Sequence, residues 1–344
     1  MRSRGDGVPA SPPRHPIQET AEKTVSDKGG KTVAMKILVL GSAAGGGFPQ
    51  WNCACEGCRR ARTGDPAAKP RTQSSLAVTA DGERWLLLNA SPDLGAQLLA
   101  NPQLHPKDGL RGNPIAAALL TNADIDHVAG LLTLRESHPF AVYATPRVHG
   151  VLAANSVFNV LNPEFVARRP MALGEPFQPA GADGRPLGLE VEVFAVPGKV
   201  ALYLEDASAG PGFGSVAEDT VALRIRPTDG SSEGFFYIPG CAGMPGWLAD
   251  RLHGAPLVLF DGTTWTDDEM IRSGTGVKTA ARMGHMPMSG HAGSMAAFAP
   301  LNVARKIYIH INNTNPALLE DSPERAQAEA AGWRIAHDGL ELTL

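Results

Sequence analysis

Residues 118–132 read ALLTNADIDHVAGLL. An apolar run with the composition of a buried strand stops at Leu120, and Asn122, Asp124, Asp126 and His127 follow before Gly130 and a second apolar run. All four side chains can bind a metal or take a hydrogen-bond partner. A buried strand that empties into a polar turn and then a helix puts its chemistry at the strand's carboxyl end, where open α/β sheets carry their sites.

Working outward, polar residues recur just past other apolar runs. Ser74–Thr79 and Trp85–Asn89, joined by Asp81-Gly82, read as a hairpin, and Ser91-Pro92 supplies N-cap and first turn for a helix carrying Asp93. Leu257–Phe260 is a core strand ending at Asp261, and Lys306–Ile311 is a strand containing His310. Phe140–Ala144 and Leu189–Val196 read as strands, Pro146–Leu161 as one helix, Lys199–Gly234 as strands between Gly-rich loops, and Trp333–Leu344 as a terminal hairpin. Residues 162–188 are rich in Pro and Gly and receive no element. Strands interleaved with helices in both halves indicate a layered α/β or α+β domain over residues 35–344. Residues 1–34 lack periodicity and read as a disordered tail, with Met35 as an alternative start.

Lys36–Leu40 (KILVL) is a first core strand leading into SAAGGGFPQWN, a glycine loop without the spacing of a phosphate cradle. Cys53, Cys55 and Cys58 then form C-x-C-x-x-C. Thiols this close converge on one tetrahedral ion, so zinc in a structural site is expected, with a fourth ligand from elsewhere.

Composition excludes several classes. The net charge of −4 gives no electrostatic footprint for nucleic acid. No apolar run reaches the length of a membrane span, and no signal-peptide core opens the chain, so a cytoplasmic protein with no membrane partner is expected. A homodimer is compatible with the sequence.

The run Thr121–His127 with Gly130 resembles the metallo-β-lactamase superfamily signature T-H-x-H-x-D-H-x-x-G, with Asn122 and Asp124 in place of two His. Asp93 resembles that family's preceding Asp motif, and His310 its last ligand. The resemblance covers most of residues 36–344 and implies an αββα four-layer sandwich. Residues 35–58, TNADIDHVAGLLTLRE, FFYIPG, LVLFDGT, GHMPMSG and IHINNTNP resemble the branch of the superfamily that serves pyrroloquinoline quinone biosynthesis. That resemblance implies an iron(II)- and oxygen-dependent hydroxylase acting on the tyrosine ring of a cross-linked Glu-Tyr amino acid derived from a precursor peptide.

The departures from the signature point the same way. Losing imidazoles at 122 and 124 removes the neutral ligands of one metal and leaves Asp126, His127 and His310, two His and a carboxylate, for one iron. Asp261 is a further ligand or a base behind one; Cys241 competes for that place. His285 is expected to exchange a proton with substrate, and Asp124 to coordinate or to hydrogen-bond the ligand His. For the fourth zinc ligand, register with a phosphodiesterase subgroup of the superfamily implies Asn313, whereas His337 is the better donor chemically. Two other readings stand beside the hydroxylase: a two-metal hydrolase of phosphodiesters or lactones, and a carrier of the finished quinone.

Overall fold

The computed structural model describes residues 34–107, 109–210 and 212–344. The expected disordered tail over residues 1–34 lies outside them except for Ala34. Thirteen strands form two sheets among the described residues. The first holds β1 (Lys36–Gly41), β2 (Ser75–Thr79), β3 (Trp85–Leu88), β4 (Ile115–Leu119), β5 (Phe140–Ala144) and β6 (Val166–Pro170). The second holds β7 (Leu189–Ala195), β8 (Val221–Pro227), β9 (Phe235–Ile238), β10 (Val258–Asp261), β11 (Lys306–Ile309) and β12 (Trp333–Ile335). The last strand, β13 (Glu341–Thr343), returns to the first sheet, giving the orders β13-β1-β2-β3-β4-β5-β6 and β12-β11-β10-β9-β8-β7.

Three apolar layers show how these sheets stack. Ile37, Val39, Leu86 and Leu119 from the first sheet meet Val191, Leu223, Tyr237, Leu259 and Ile307 from the second. Leu94, Val128 and Val148, on or beside helices, cover the outer face of the first sheet through Ala118, Leu120 and Val142. Leu248, Leu252, Phe298 and Ala328 cover the outer face of the second through Val258 and Phe260. The result is an αββα sandwich of the α/β class, as expected. With both faces of β4 buried, its sequence is a continuous apolar run rather than an alternation.

β3 to β6 run parallel, as do β9 to β12. The carboxyl ends of β4, β9, β10 and β11 therefore deliver Asn122–His127, Cys241, Asp261 and His310.

Several expected elements are corrected. Trp333–Leu344 is no hairpin: β12 pairs β11 and β13 pairs β1, in different sheets. The helix from Pro146 stops at Ala154, where Asn155 turns its carboxamide onto Val151 O. Residues 166–170 form a strand despite Pro170 and two arginines, and 199–220 holds short 3-10 turns before β8. Asp93 rather than Ser91 precedes the helix Leu94–Ala100, and Ser91 Oγ bonds Gln97 instead.

Candidate metal centre

The turn after β4 folds around one carboxamide. Asn122 Oδ1 accepts the Asp124 backbone N–H at 3.0 Å and lies 2.6 Å from His127 Nδ1. The peptide donor fixes that atom as oxygen, so His127 Nδ1 carries the proton and Nε2 a lone pair. His127 Nε2 is buried with no hydrogen-bond partner among the described residues. Burial holds the His127 pKa down at about 4, keeping the ring neutral.

His310 follows β11 in the left-handed region, with φ 57°, a conformation that costs a non-glycine residue on the order of 1 kcal/mol. Its neighbour Ile311 is held by backbone bonds to Ser42 and Ala44 of the glycine loop. The ring points Nε2 at Asp126 Oδ2, 3.1 Å away, and the same oxygen lies 4.0 Å from His127 Nε2. Burial alone would favour the neutral acid at Asp126, but His127 and His310 hold its carboxyl well below the usual range. Burial would likewise lower the His310 pKa, yet the hydrogen bond and charge of Asp126, with Asp261 and Asp124 nearby, raise it.

Behind these rings lies a fully buried carboxylate. Asp261 Oδ2 accepts the Cys241 N–H at 2.9 Å and His285 Nδ1–H at 2.6 Å. Asp261 Oδ1 accepts the Thr263 N–H at 3.0 Å and the Thr263 hydroxyl at 2.6 Å. Since that hydroxyl donates to Asp261, His310 Nδ1, 2.9 Å from Thr263 Oγ1, must donate to it. All three imidazoles thus have Nδ1 committed as donor. His285 stacks against His310, 5.4 Å between ring centres.

The donor set fits a divalent ion. Asp126, His127 and His310 bring one ligand atom each within 4.8 Å of one another, and His127 Nε2 is an orphaned buried lone pair. Ligand bonds of about 2.0–2.2 Å separate neighbouring donors by roughly 3–3.5 Å, close to the spacings seen. Asp261, His285 and His310 form a second close group. Each Asp261 oxygen takes two donors, so within this hydrogen-bond network Asp261 stands behind His285 as its carboxylate partner.

Three further expectations are corrected. Cys241 points Sγ at Gly243 O, 3.1 Å away, burial pushes its thiol up to about 12, and it joins none of the close donor groups among the described residues. Asp124 takes the Asn122 amide at 3.0 Å and makes no hydrogen bond to His127; Asn122 holds that ring instead. Burial and the Asp126 charge raise the Asp124 pKa. Asp93, expected in catalysis, accepts both the backbone and the side-chain N–H of Gln73 at 2.9 and 3.0 Å. Gln73 in turn accepts the Gly46 N–H, and Gly45 lies against Asp126, where an added Cβ would sit 3.5 Å from the carboxylate. Asp93 therefore positions the glycine loop over Asp126. Thr263 was missed as a site residue; a Thr two places after a buried strand-end Asp, able to bond back to it, was the available signal.

Cys53, Cys55 and Cys58 cluster within 4.8 Å, on and before the helix Glu56–Arg62. Asn313 Nδ2 lies 3.4 Å from Cys58 Sγ and 3.8 Å from Cys55 Sγ, so Asn313 stands across from the thiols. His337 is exposed, and its ring lies 3.0 Å from Asp338 O rather than beside the thiols. Burial pushes the Cys55 thiol up to about 12. Three converging sulfurs with a carboxamide opposite fit a structural zinc, whose charge would hold the thiols ionised.

Two sheets with helices outside and a His/Asp cluster at the strand ends define a β-lactamase superfamily domain, and that family's model matches residues 84–311. The chain belongs to the coenzyme PQQ synthesis protein B family of this superfamily. It is 54% identical over 310 residues to that protein from Methylorubrum extorquens, covering 90% of this chain and 100% of the relative. The relative from Gluconacetobacter diazotrophicus is 54% identical over 307 residues, 89% of this chain and 99% of its own. Among solved structures, zinc-bound PqqB from Methylobacterium extorquens superposes with TM-score 0.84 at 52% identity, over 90% of this chain and 100% of that one. A diphosphatase of the PhnP family, 20% identical, shares the fold with TM-score 0.62 over 90% of this chain and 97% of its own. No helix among the described residues is long and apolar enough to cross a membrane.

Proposed function

We propose that the protein acts in pyrroloquinoline quinone biosynthesis as an iron(II)- and oxygen-dependent hydroxylase of the tyrosine ring of a cross-linked Glu-Tyr amino acid. The relatives' name supports the pathway. The observation that carries the chemistry is the ligand set: two imidazoles with Nδ1 committed as donor and one ionised carboxylate, while Asn122 and Asp124 are tied to each other where a second ion's donors would stand. Two His and one carboxylate leave positions open on iron(II), which supplies the one-electron chemistry that molecular oxygen needs. One oxygen atom enters the ring and the other leaves as water, so two electrons and two protons come from a reductant outside the chain.

Asp126, His127 and His310 would hold the ion. Asn122 and Thr263 fix the two rings, so that neither turns its protonated nitrogen inward. His285, anchored through Nδ1–H on Asp261, has Nε2 left to exchange a proton with the phenol. The glycine loop packs Gly45 against the Asp126 carboxylate.

The test is anaerobic loading with iron(II), then addition of the cross-linked amino acid, oxygen and ascorbate. The expected product carries one added oxygen mass. Turnover with zinc but not iron would sink the reading, as would two ions at the histidine cluster. If His127→Ala leaves quinone binding and pathway output intact, the carrier reading replaces it.

A further inference from the structure

The chain after β7 is tied to the turn that carries two residues of the histidine cluster. Tyr203 Oη donates to Ala123 O at 2.8 Å, on the turn that carries Asp126 and His127. Two residues on, Glu205 accepts Lys199 Nζ at 2.7 Å and Arg282 through both terminal nitrogens at 3.0 and 2.7 Å. Arg282 stacks on Phe213, 3.8 Å to the ring centre, and belongs to the helix Ala280–Met283 that directly precedes Gly284 and His285. Lys199 runs along Gly284, where an added Cβ would lie 2.9 Å from its Cγ. The charge of Lys278 also reaches Glu205, yet Lys278 forms no ion pair among the described residues. Lys199 and Arg282 thus share one carboxylate next to the helix that leads into His285, and the charge of Lys278 acts on the same group. That carboxylate stays ionised, held at about 2 chiefly by the Arg282 hydrogen bonds.

We propose that Lys199, Lys278 and Arg282 bind carboxylates of the substrate, with Glu205 as the built-in anion that an incoming carboxylate competes against. The identity of the ligand rests on the hydroxylase reading above: a cross-linked Glu-Tyr amino acid carries several carboxylates, and the iron ligands offer none of them a partner. A patch with two more positive than negative charges near a site draws such an anion in and fixes its orientation. A purely structural latch at Glu205 would behave oppositely, since breaking it would loosen this segment.

The experiment is calorimetric titration of the full-length, zinc-loaded protein with the cross-linked amino acid and with its fully amidated analogue, at low and high salt. Lys278→Met and Arg282→Met should each weaken binding of the acid about tenfold without weakening that of the amide. Glu205→Gln should tighten binding of the acid several-fold, and salt should weaken it in the wild type. Thermal midpoints of each variant separate misfolding from lost recognition, and Lys278, half-buried and without an ion pair among the described residues, is the variant least exposed to that ambiguity. An ineffective Lys278→Met, weaker binding by Glu205→Gln, or a wild type that binds acid no better than amide overturns the site. Binding with the expected pattern but no oxygenated product from the iron form would overturn the hydroxylase reading and leave the site standing.

Discussion

Asn122 Oδ1 lies 2.6 Å from His127 Nδ1 and accepts its proton. Where the superfamily signature has a metal-binding imidazole, this chain has the side chain that orients the neighbouring one. Replacing Asn122 by Ala frees the His127 ring and strands a buried N–H. Affinity at the histidine cluster is expected to fall about 10- to 100-fold, while the cysteine-bound ion is retained. Competition with a chelator, read separately for iron and zinc, measures both; undiminished iron affinity would contradict the role given to Asn122.

Thr263 joins His310 to Asp261 through one hydroxyl. Thr263→Val leaves two buried polar groups without that partner, costing about 1–3 kcal/mol of stability and weakening the metal site. Thr263→Ser keeps the hydroxyl and should restore metal affinity even if the lost methyl costs a little stability. Denaturant midpoints and metal titration of the pair check this, and equal metal affinity in Val and Ser variants would refute it.

The cysteine cluster should behave as a staple rather than a catalyst. Cys58→Ala should lose one zinc per chain and lower the melting midpoint, with iron binding at the histidine cluster preserved. Asn313→Asp, which offers a charged oxygen in place of a carboxamide, should tighten zinc about tenfold. Zinc-to-protein ratios after graded chelation provide the measurement.

Glu269 predicts a pH effect away from both clusters. It is buried, accepting the Trp265 N–H and the Thr314 hydroxyl, and burial raises its pKa from 4.5 to about 7. Between those values the folded protein holds a proton that the unfolded chain has released, so this group makes stability fall as pH rises from 4.5 to about 7, then level off. The full gap corresponds to roughly 3 kcal/mol. Glu269→Gln removes that slope, and the variant should gain on wild type from pH 5 to about pH 7 in urea titrations, the difference then flattening. A constant difference across that range would show that Glu269 titrates normally.

The parts of the site legible in the sequence were those whose chemistry is local. Cys53, Cys55 and Cys58 announce themselves by spacing alone, and His127 and His310 by standing where apolar runs end. The roles of Asn122, Asp93 and Thr263 were not legible, because each depends on what lies opposite in space: a ring five residues on, a glutamine from another strand edge, and two histidines from separate loops. Strand partners show the same limit. An alternating pattern tells that Trp333–Ile335 and Glu341–Thr343 are strands, but nothing within twelve residues says that they enter different sheets. The strand Val166–Pro170 was hidden by its arginines, which reach polar partners at Phe158 O and Gly181 O.

That final crossing has a consequence for how the protein folds. β1 closes only when Glu341–Thr343 arrives beside it, and Asp338 gathers Ser42 and Thr72 from the opposite end of the chain. Contacts of such long sequence separation raise the contact order, and folding slows because long loops must close before those contacts form. His310 and Asn313 likewise stand 184 residues from Asp126 and 255 residues from Cys58, the groups they face. Neither donor cluster is therefore complete until segments far apart in sequence have met, so a metal that binds there reads the finished tertiary fold and not any local stretch.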